Sequence, residues 1–294
     1  MNAPDWSLYR SFLAVLEEGS LSGAARALGL TQPTITRHIQ TLEDAVGFEL
    51  FTRSRLGLAP TDSALALKPY AQSLAATTSA MMRVASGHGK AVKGTVRISA
   101  SEMIGTEILP PHLAALHEKH PDLEIELMLS NAVDDLLRRE ADIAVRNVEP
   151  AQEALVVKRV GTIALGLHAH RRYLERAGTP RNLAALRDFT LIGFDRETPA
   201  IRSMRERAPA LEQLRFAFRA DSDMAQFNAI KAGFGIGICQ ARLAKRDPDL
   251  RRVLAGAFDL KIGVWVATHE NLRSTPRCRA TFDALAAGLK AHVD

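Results

Sequence analysis

The apolar positions of the first fifty residues recur at helical spacing and are cut twice by glycine. Phe12, Val15 and Leu16 stand at i, i+3 and i+4, which predicts a helix with one apolar face. Gly19 interrupts it, and Ser20 and Ser22 are candidate N-caps of a second helix, where Ala24 and Ala25 allow close helix contact. Gly29 ends that helix, because glycine takes the left-handed C-cap conformation without steric cost. Thr31 then caps a third helix, with Pro33 in its first turn, where a missing N–H costs nothing. Along it Ile35, Ile39, Leu42 and Val46 repeat at spacings of 4, 3 and 4 and predict the buried stripe. Gln32, Pro33, Thr34, Thr36, Arg37 and Gln40 are left on the outer face.

That outer set suits the edges of base pairs. Glutamine can pair with adenine and arginine with guanine through two hydrogen bonds each, and proline or threonine carbons can touch a thymine methyl. In a helix-turn-helix the N-terminal part of the second motif helix enters the major groove, and these residues lie there. Gly47–Phe51 then leads into Thr52–Thr61, two short apolar segments around a basic, glycine-containing turn. From such a hairpin Arg53 and Arg55 would reach phosphates or the minor groove. The alternative is an ordinary three-helix core with a polar outer face and two solvated arginines.

Residues 8–63 resemble the winged helix-turn-helix of LysR-type transcriptional regulators. The resemblance rests on Phe12, Val15, Gly19, Ser20, Ala24, Ala25, Leu28, Thr31, Gln32, Pro33, Thr36, Arg37, Leu42, Glu43, Gly47, Leu50, Phe51 and Arg53. Val46 replaces the family's usual leucine, and the Leu-Thr-x-x-Gly that usually follows the wing appears here only as Pro60–Ala64.

Residues 62–86 predict one long helix. Ala64, Leu67, Ala71, Leu74, Thr78, Met81 and Ala85 alternate spacings of 3 and 4, a seam that wants a partner helix. A second copy of the chain is the expected partner, and packing on the chain's own domains is the alternative. Pro69 would bend the helix or start it. The family likewise dimerises through this helix and often builds tetramers, so the resemblance implies a homodimer or homotetramer.

Ser86–Lys90 is glycine-rich and polar, a flexible connection. Beyond it strand-like runs at 95–100, 123–129 and 142–146 alternate with helical stretches at 109–119 and 133–140. Later strand-like runs lie at 162–167, 190–194, 215–220, 235–239 and 262–268, and an amphipathic helix closes the chain at 274–292. Such alternation implies a mainly parallel sheet with helices on both faces. This region is similar to the LysR-family effector domain, carried by Leu109-Pro110, His120-Pro121, Ala141–Ala144, Gly233–Gly237 and Thr275–Phe282. The expected fold class is α plus α/β: a winged helix-turn-helix over 1–61, a linker helix over 62–87, and a two-lobed α/β effector domain of periplasmic-binding-protein type over 92–294. Lobe I would take 92–162 plus 267–294, and lobe II 163–266.

In open α/β sheets ligands sit beyond the carboxyl ends of strands. There lie Ser99, Ala100, Ser101 and Glu102, Ser130 and Asn131, Arg146 and Asn147, and Ser222 and Asp223 ahead of a helix at 224–232. Ser101 aligns with the family's Ser/Thr that hydrogen-bonds an inducer carboxylate. Glu102 and Asp223 would repel an anion; surface exposure of both is the simpler expectation, and an amine-bearing ligand the other. His168 and His170 have no metal partner at sensible spacing and are expected to face solvent.

Composition narrows the function further. The 294 residues, 47% hydrophobic and 24% charged, are ordinary for a globular chain of about two domains. No secretory signal or bilayer-spanning run is visible, which predicts a cytoplasmic protein without a membrane partner. A net charge of +5 permits an anionic partner. Residues 1–90 are nearly balanced, so any basic footprint must be local. Cys239 and Cys278 read as reduced apolar residues, with a redox switch as the alternative. There is no Gly-x-Ser-x-Gly, no phosphate loop and no Cys/His metal set, so neither catalysis nor a cofactor is implied. Two classes remain. One is a sequence-specific regulator bound to double-stranded DNA at an inverted-repeat operator and modulated by a small-molecule effector, with RNA polymerase as a candidate partner. The other is a solute-binding module whose N-terminal helices mediate association.

Overall fold

A computed structural model describes residues 4–54, 57–86, 91–131, 140–150, 154–197, 201–202, 206 and 214–293. The chain divides into two compact units, with the division falling at Met82–Arg83, within one long helix.

The first unit holds α1 (Trp6–Glu18), α2 (Leu21–Leu28), α3 (Gln32–Val46), β1 (Phe51–Ser54), β2 (Gly57–Pro60) and most of α4 (Asp62–Ser86). The predicted caps form. Ser20 Oγ accepts from the Gly23 N–H at 3.1 Å, and Gly19 and Gly29 both have φ of 65°. Phe12, Ile35, Leu42 and Leu50 are fully buried, with the Phe12 and Phe51 rings 5.8 Å apart. The β1–β2 hairpin is the predicted wing. Its base is pinned to the turn after α1, because the Leu58 N–H donates to the Gly19 carbonyl at 3.1 Å and only a glycine fits at 57 beside that oxygen. The Glu43 carboxylate, accepting from the Leu50 N–H at 2.7 Å, ties the wing's approach back to α3.

The α4 helix runs unbroken through Pro69, so the proline neither starts nor ends it. Its seam splits into two halves. Ala64 and Ala71 are buried in the same cluster as Phe12 and Ile35, so this half packs on the chain's own core. Leu74, Met81 and Met82 are exposed and remain open to a partner helix.

The second unit is α/β. In order it contains β3 (Gly94–Ala100), α5 (Glu102–Glu107), α6 (Leu109–Lys119), β4 (Leu123–Leu129), β5 (Ile143–Arg146), β6 (Leu155–His170), α7 (Arg171–Ala177), a 3-10 turn (Ala184–Asp188), β7 (Ile192–Gly193) and β8 (Phe218–Arg219). It continues with α8 (Asp223–Lys231), β9 (Gly237–Gln240), α9 (Ala241–Ala244), β10 (Leu250–Val253), β11 (Leu260–His269), α10 (Glu270–Arg273) and α11 (Pro276–Lys290). The helix expected at 133–140 lies, but for its last residue, outside the described residues. The main sheet runs β10-β6-β11-β5-β3-β4, with β9 also on β6.

This sheet corrects the mainly parallel expectation. Only β3–β4 and β3–β5 are parallel in it, and β6 is antiparallel to β9, β10 and β11. The reason is the length of β6. Its 16 residues pair with β11 from Leu155 to Leu165, so the chain leaves along one strand and returns along the other. A large apolar core around Ile98, Ile104, Val264 and Phe282 and a smaller one around Leu167, Tyr173, Leu186 and Phe258 flank this ribbon. Where the unit begins, Asp142, 1% exposed, accepts from Arg83 Nε at 2.9 Å and from the Arg97 N–H at 2.9 Å. The buried Arg277 guanidinium caps the Arg83 carbonyl in turn.

Candidate functional site

The outer face of α3 is prepared locally. Thr31 Oγ1 accepts from the Thr34 N–H and pairs with the Thr34 hydroxyl at 2.8 Å, so Thr34 serves the cap. The Thr36 hydroxyl donates to the Gln32 carbonyl at 3.0 Å and leaves its methyl outward. Gln32, Pro33, Thr36, Arg37 and Gln40 are exposed, on the side opposite the buried Ile35, Ile39 and Leu42. His38 Nδ1 and the buried Ser11 hydroxyl, 2.8 Å apart, fix α3 on α1 and so set the presentation of that face. Asp44, which the sequence reading did not single out, accepts from Gln40 Nε2 at 3.1 Å and so holds the Gln40 amide. The spacing of four was the available signal. Arg53 is exposed on β1, while Arg55 lies outside the described residues.

Nine of the ten residues expected around an effector are hydrogen-bonded to another of the set, and the tenth, Asp223, interacts with the Glu102 charge. The Ser101 hydroxyl donates to Asn147 Oδ1 at 3.0 Å, and Asn147 Nδ2 to the Gly263 carbonyl at 3.2 Å. Asn131 Oδ1 accepts from the Glu102 N–H at 3.2 Å, and the Ser130 N–H donates to the Ala100 carbonyl at 2.9 Å. Arg146, 5% exposed, reaches Ser99 Oγ at 2.6 Å. Ser99 and Ala100 are fully buried, so they form the floor rather than a contact surface.

Glu102 and Asp223 are not the exposed acids expected. The Glu102 carboxylate accepts from the Ser222 hydroxyl at 2.8 Å and the Met224 N–H at 3.3 Å, at the N-terminus of α8. A helix N-terminus carries partial positive charge, which explains why an acid settles there. Asp223 is half-buried beside it, and its pKa is pushed up to about 6, first by burial and second by the Glu102 charge. The two acids thus face one another across α5 and α8.

The histidine expectation is corrected too. His168 is 3% exposed, because β6 is flanked by β9 and β10 on both sides there, and burial lowers its pKa. His170 is half-buried and caps α7 by accepting from the Arg172 N–H. Cys239 and Cys278 are both buried, and burial pushes the Cys239 thiol up to about 12, which argues against a redox switch. Among the described residues no group of His, Cys, Asp and Glu could hold a metal, and no helix is long and apolar enough to cross a membrane.

Comparison with known proteins matches residues 6–65 to the bacterial regulatory helix-turn-helix of the LysR family and residues 89–290 to the LysR substrate-binding domain. A probable HTH-type transcriptional regulator of Klebsiella pneumoniae, LtrA, is 25% identical over 257 residues, covering 85% of this chain and 82% of its own. An HTH-type transcriptional regulator of Xanthomonas campestris is 29% identical over 173 residues, which are 58% of this chain and only 49% of that protein. Full-length CbnR in complex with its target DNA superimposes with a TM-score of 0.66 at 22% identity, covering 97% of this chain and 99% of that one, a likeness of fold.

Proposed function

Because this chain belongs to the LysR family of DNA-binding transcriptional regulators, we propose that it binds an inverted-repeat operator through α3 and answers to a small molecule held between two lobes of its second unit. The observation that carries the reading is the α3 face. Five exposed residues, Gln32, Pro33, Thr36, Arg37 and Gln40, can meet base edges, and Arg53 on the wing can meet phosphate. Two such faces are needed for a two-fold operator. The exposed Leu74, Met81 and Met82 on α4 supply a surface for pairing two copies, as a homodimer or within a homotetramer.

The effector site is assigned to the cluster of Ser101, Glu102, Asn131, Asn147, Ser222 and Asp223, floored by Ser99, Ala100 and Arg146 and flanked by Ser130. Lobe I comprises 92–162 with 267–294 and lobe II 163–266, so the Glu102–Ser222 bond joins the lobes. An effector that enters must exchange these internal hydrogen bonds for its own, and the exchange shifts the population between two arrangements of the oligomer. The protein works in the cytoplasm, with RNA polymerase as its downstream partner.

Selection of random duplexes on the purified protein at near-physiological salt tests this. Enrichment of a two-fold repeat, with binding that weakens steeply as salt rises, is expected. Failure to enrich any sequence would overturn the operator reading and leave a solute-binding module.

A further inference from the structure

A cavity lies away from the Glu102 cluster, between β6, α9 and β10. It has a volume of about 70 Å³ and is lined by His168, Ala241, Ala244, Lys245, Leu250 and Arg252. That is several times the space one water needs. Two of the lining groups meet over a glycine: a Cβ at Gly166 on β6 would stand 2.8 Å from Arg252 Nε and 3.0 Å from His168 Cε1, so the guanidinium and the imidazole converge there and fill the space a side chain would take. They are also direct partners across the β6–β10 ladder.

The polar inventory of this cavity is unbalanced. His168 Nδ1 lies 2.9 Å from the Gly166 carbonyl and therefore carries the proton that this bond needs. Nε2 of this buried ring has no hydrogen-bond partner among the described residues. Arg252 pairs with Asp259 at 2.8 Å and donates to the Phe258 carbonyl. Lys245 has no ion pair among the described residues. Of the other charges nearby, Asp249 is held by Arg171 at 2.8 Å, and Arg251 donates to the Leu250 carbonyl. Two cations therefore line this cavity, Lys245 without an ion pair among the described residues and Arg252 paired with Asp259, with a buried imidazole as a third group able to gain charge.

We propose that this cavity is a binding site for a small oxyanion, a carboxylate or phosphate group, held by Lys245 and Arg252 with His168 taking up a proton on its free Nε2 as the anion binds. The empty site keeps His168 neutral, since burial and the adjacent Arg252 both disfavour the imidazolium. A bound anion offsets the local positive charge and offers Nε2–H an acceptor, so the imidazolium becomes the better state and donates through Nε2–H. Binding then tightens as pH falls, by up to about tenfold per unit between the pKa of the occupied site and the lower pKa of the empty one.

The test titrates the full-length protein with inorganic phosphate, acetate and, at matched ionic strength, chloride, and follows the His168 ring resonances. The expected result is a saturable shift with phosphate or acetate and not with chloride, stronger at low pH. Which of the two anions acts names the head group. Lys245→Gln, an exposed change that leaves the sheet intact, should weaken the effect about tenfold, and Arg252→Gln should do so as well. A control, Glu118→Gln, exposed on α6 and outside both this cavity and the effector cluster, should leave the shift unchanged. The proposal is overturned if neither anion moves the His168 ring, if chloride moves it equally, or if the shift survives in the Lys245→Gln protein. None of these outcomes touches the operator reading, which α3 carries.

Discussion

On α3, the side chains of Gln32 and Arg37 stand exposed without a hydrogen bond to any described residue, whereas in the second unit Ser101, Glu102, Asn131 and Arg146 each already hold a protein partner. The difference follows from the ligands each surface would meet. DNA presents a rigid groove that side chains enter, so exposed groups on a well-anchored helix suffice. A small effector would enter a largely buried site, and buried polar groups left unpaired are costly. The residues proposed for the effector are satisfied by protein partners, and a ligand bound there would replace one set of bonds by another.

The largest effects would break the two regions separately. Phe12→Ala removes a fully buried ring from the first unit and should cost about 3–5 kcal/mol there. Asp142→Ala strips Arg83 and the Arg97 N–H of a buried carboxylate and should cost the second unit about 3–5 kcal/mol. Denaturation followed by probes in each unit should show each substitution lowering its own transition. A loss shared equally by both transitions would show that the two units unfold as one.

Intermediate effects sharpen the contrast within the exposed surface. Arg37→Ala should weaken binding to the preferred duplex by about 1–3 kcal/mol and relax preference at one base position. Arg53→Ala should weaken all sequences alike and lower the salt slope by about one. Titrations at several salt concentrations separate the two, and equal losses on every duplex for Arg37→Ala would make it a phosphate contact.

The smallest expected effect concerns the acid pair. The carboxyl of Asp223 has its pKa raised from 3.8 to about 6, so the folded state holds that proton more tightly than the unfolded chain. The stability it contributes is complete below about 3.8 and is lost as pH rises through about 6. Asp223→Asn removes the charge that burial first and Glu102 second disfavour, and should raise stability at pH 7 by about 1–2 kcal/mol, with no gain at pH 4. Denaturation midpoints at the two pH values check this, and an equal gain at both would assign it to something other than charge.

How far each region could be read beforehand follows the range of its interactions. The helices, caps and wing of the first unit were legible because each depends on residues three or four apart, as Ser20 with Gly23 and Thr31 with Thr34. The Gln40–Asp44 bond is less legible, because an exposed glutamine at a groove-facing position reads equally well as pointing outward. In the second unit the strands were visible, but β6 was expected to begin at 162 and runs from Leu155, because its first half alternates polar residues over a half-exposed surface. The direction of pairing could not be read at all, since it depends on how far apart in space the ends of β6 and β11 come to lie.

The amino-acid order alone determined the three capped helices, the outward set on α3, the wing and the alternation of strands with helices, because periodicity and capping act within a few residues. Only the tertiary structure decided that half of the α4 seam is spent on the chain's own core, that Glu102 reaches 120 residues along the chain to Ser222, and that His168 is enclosed between strands. Those outcomes depend on burial and on charges brought together from distant segments, and local sequence carries no record of which distant group will stand opposite.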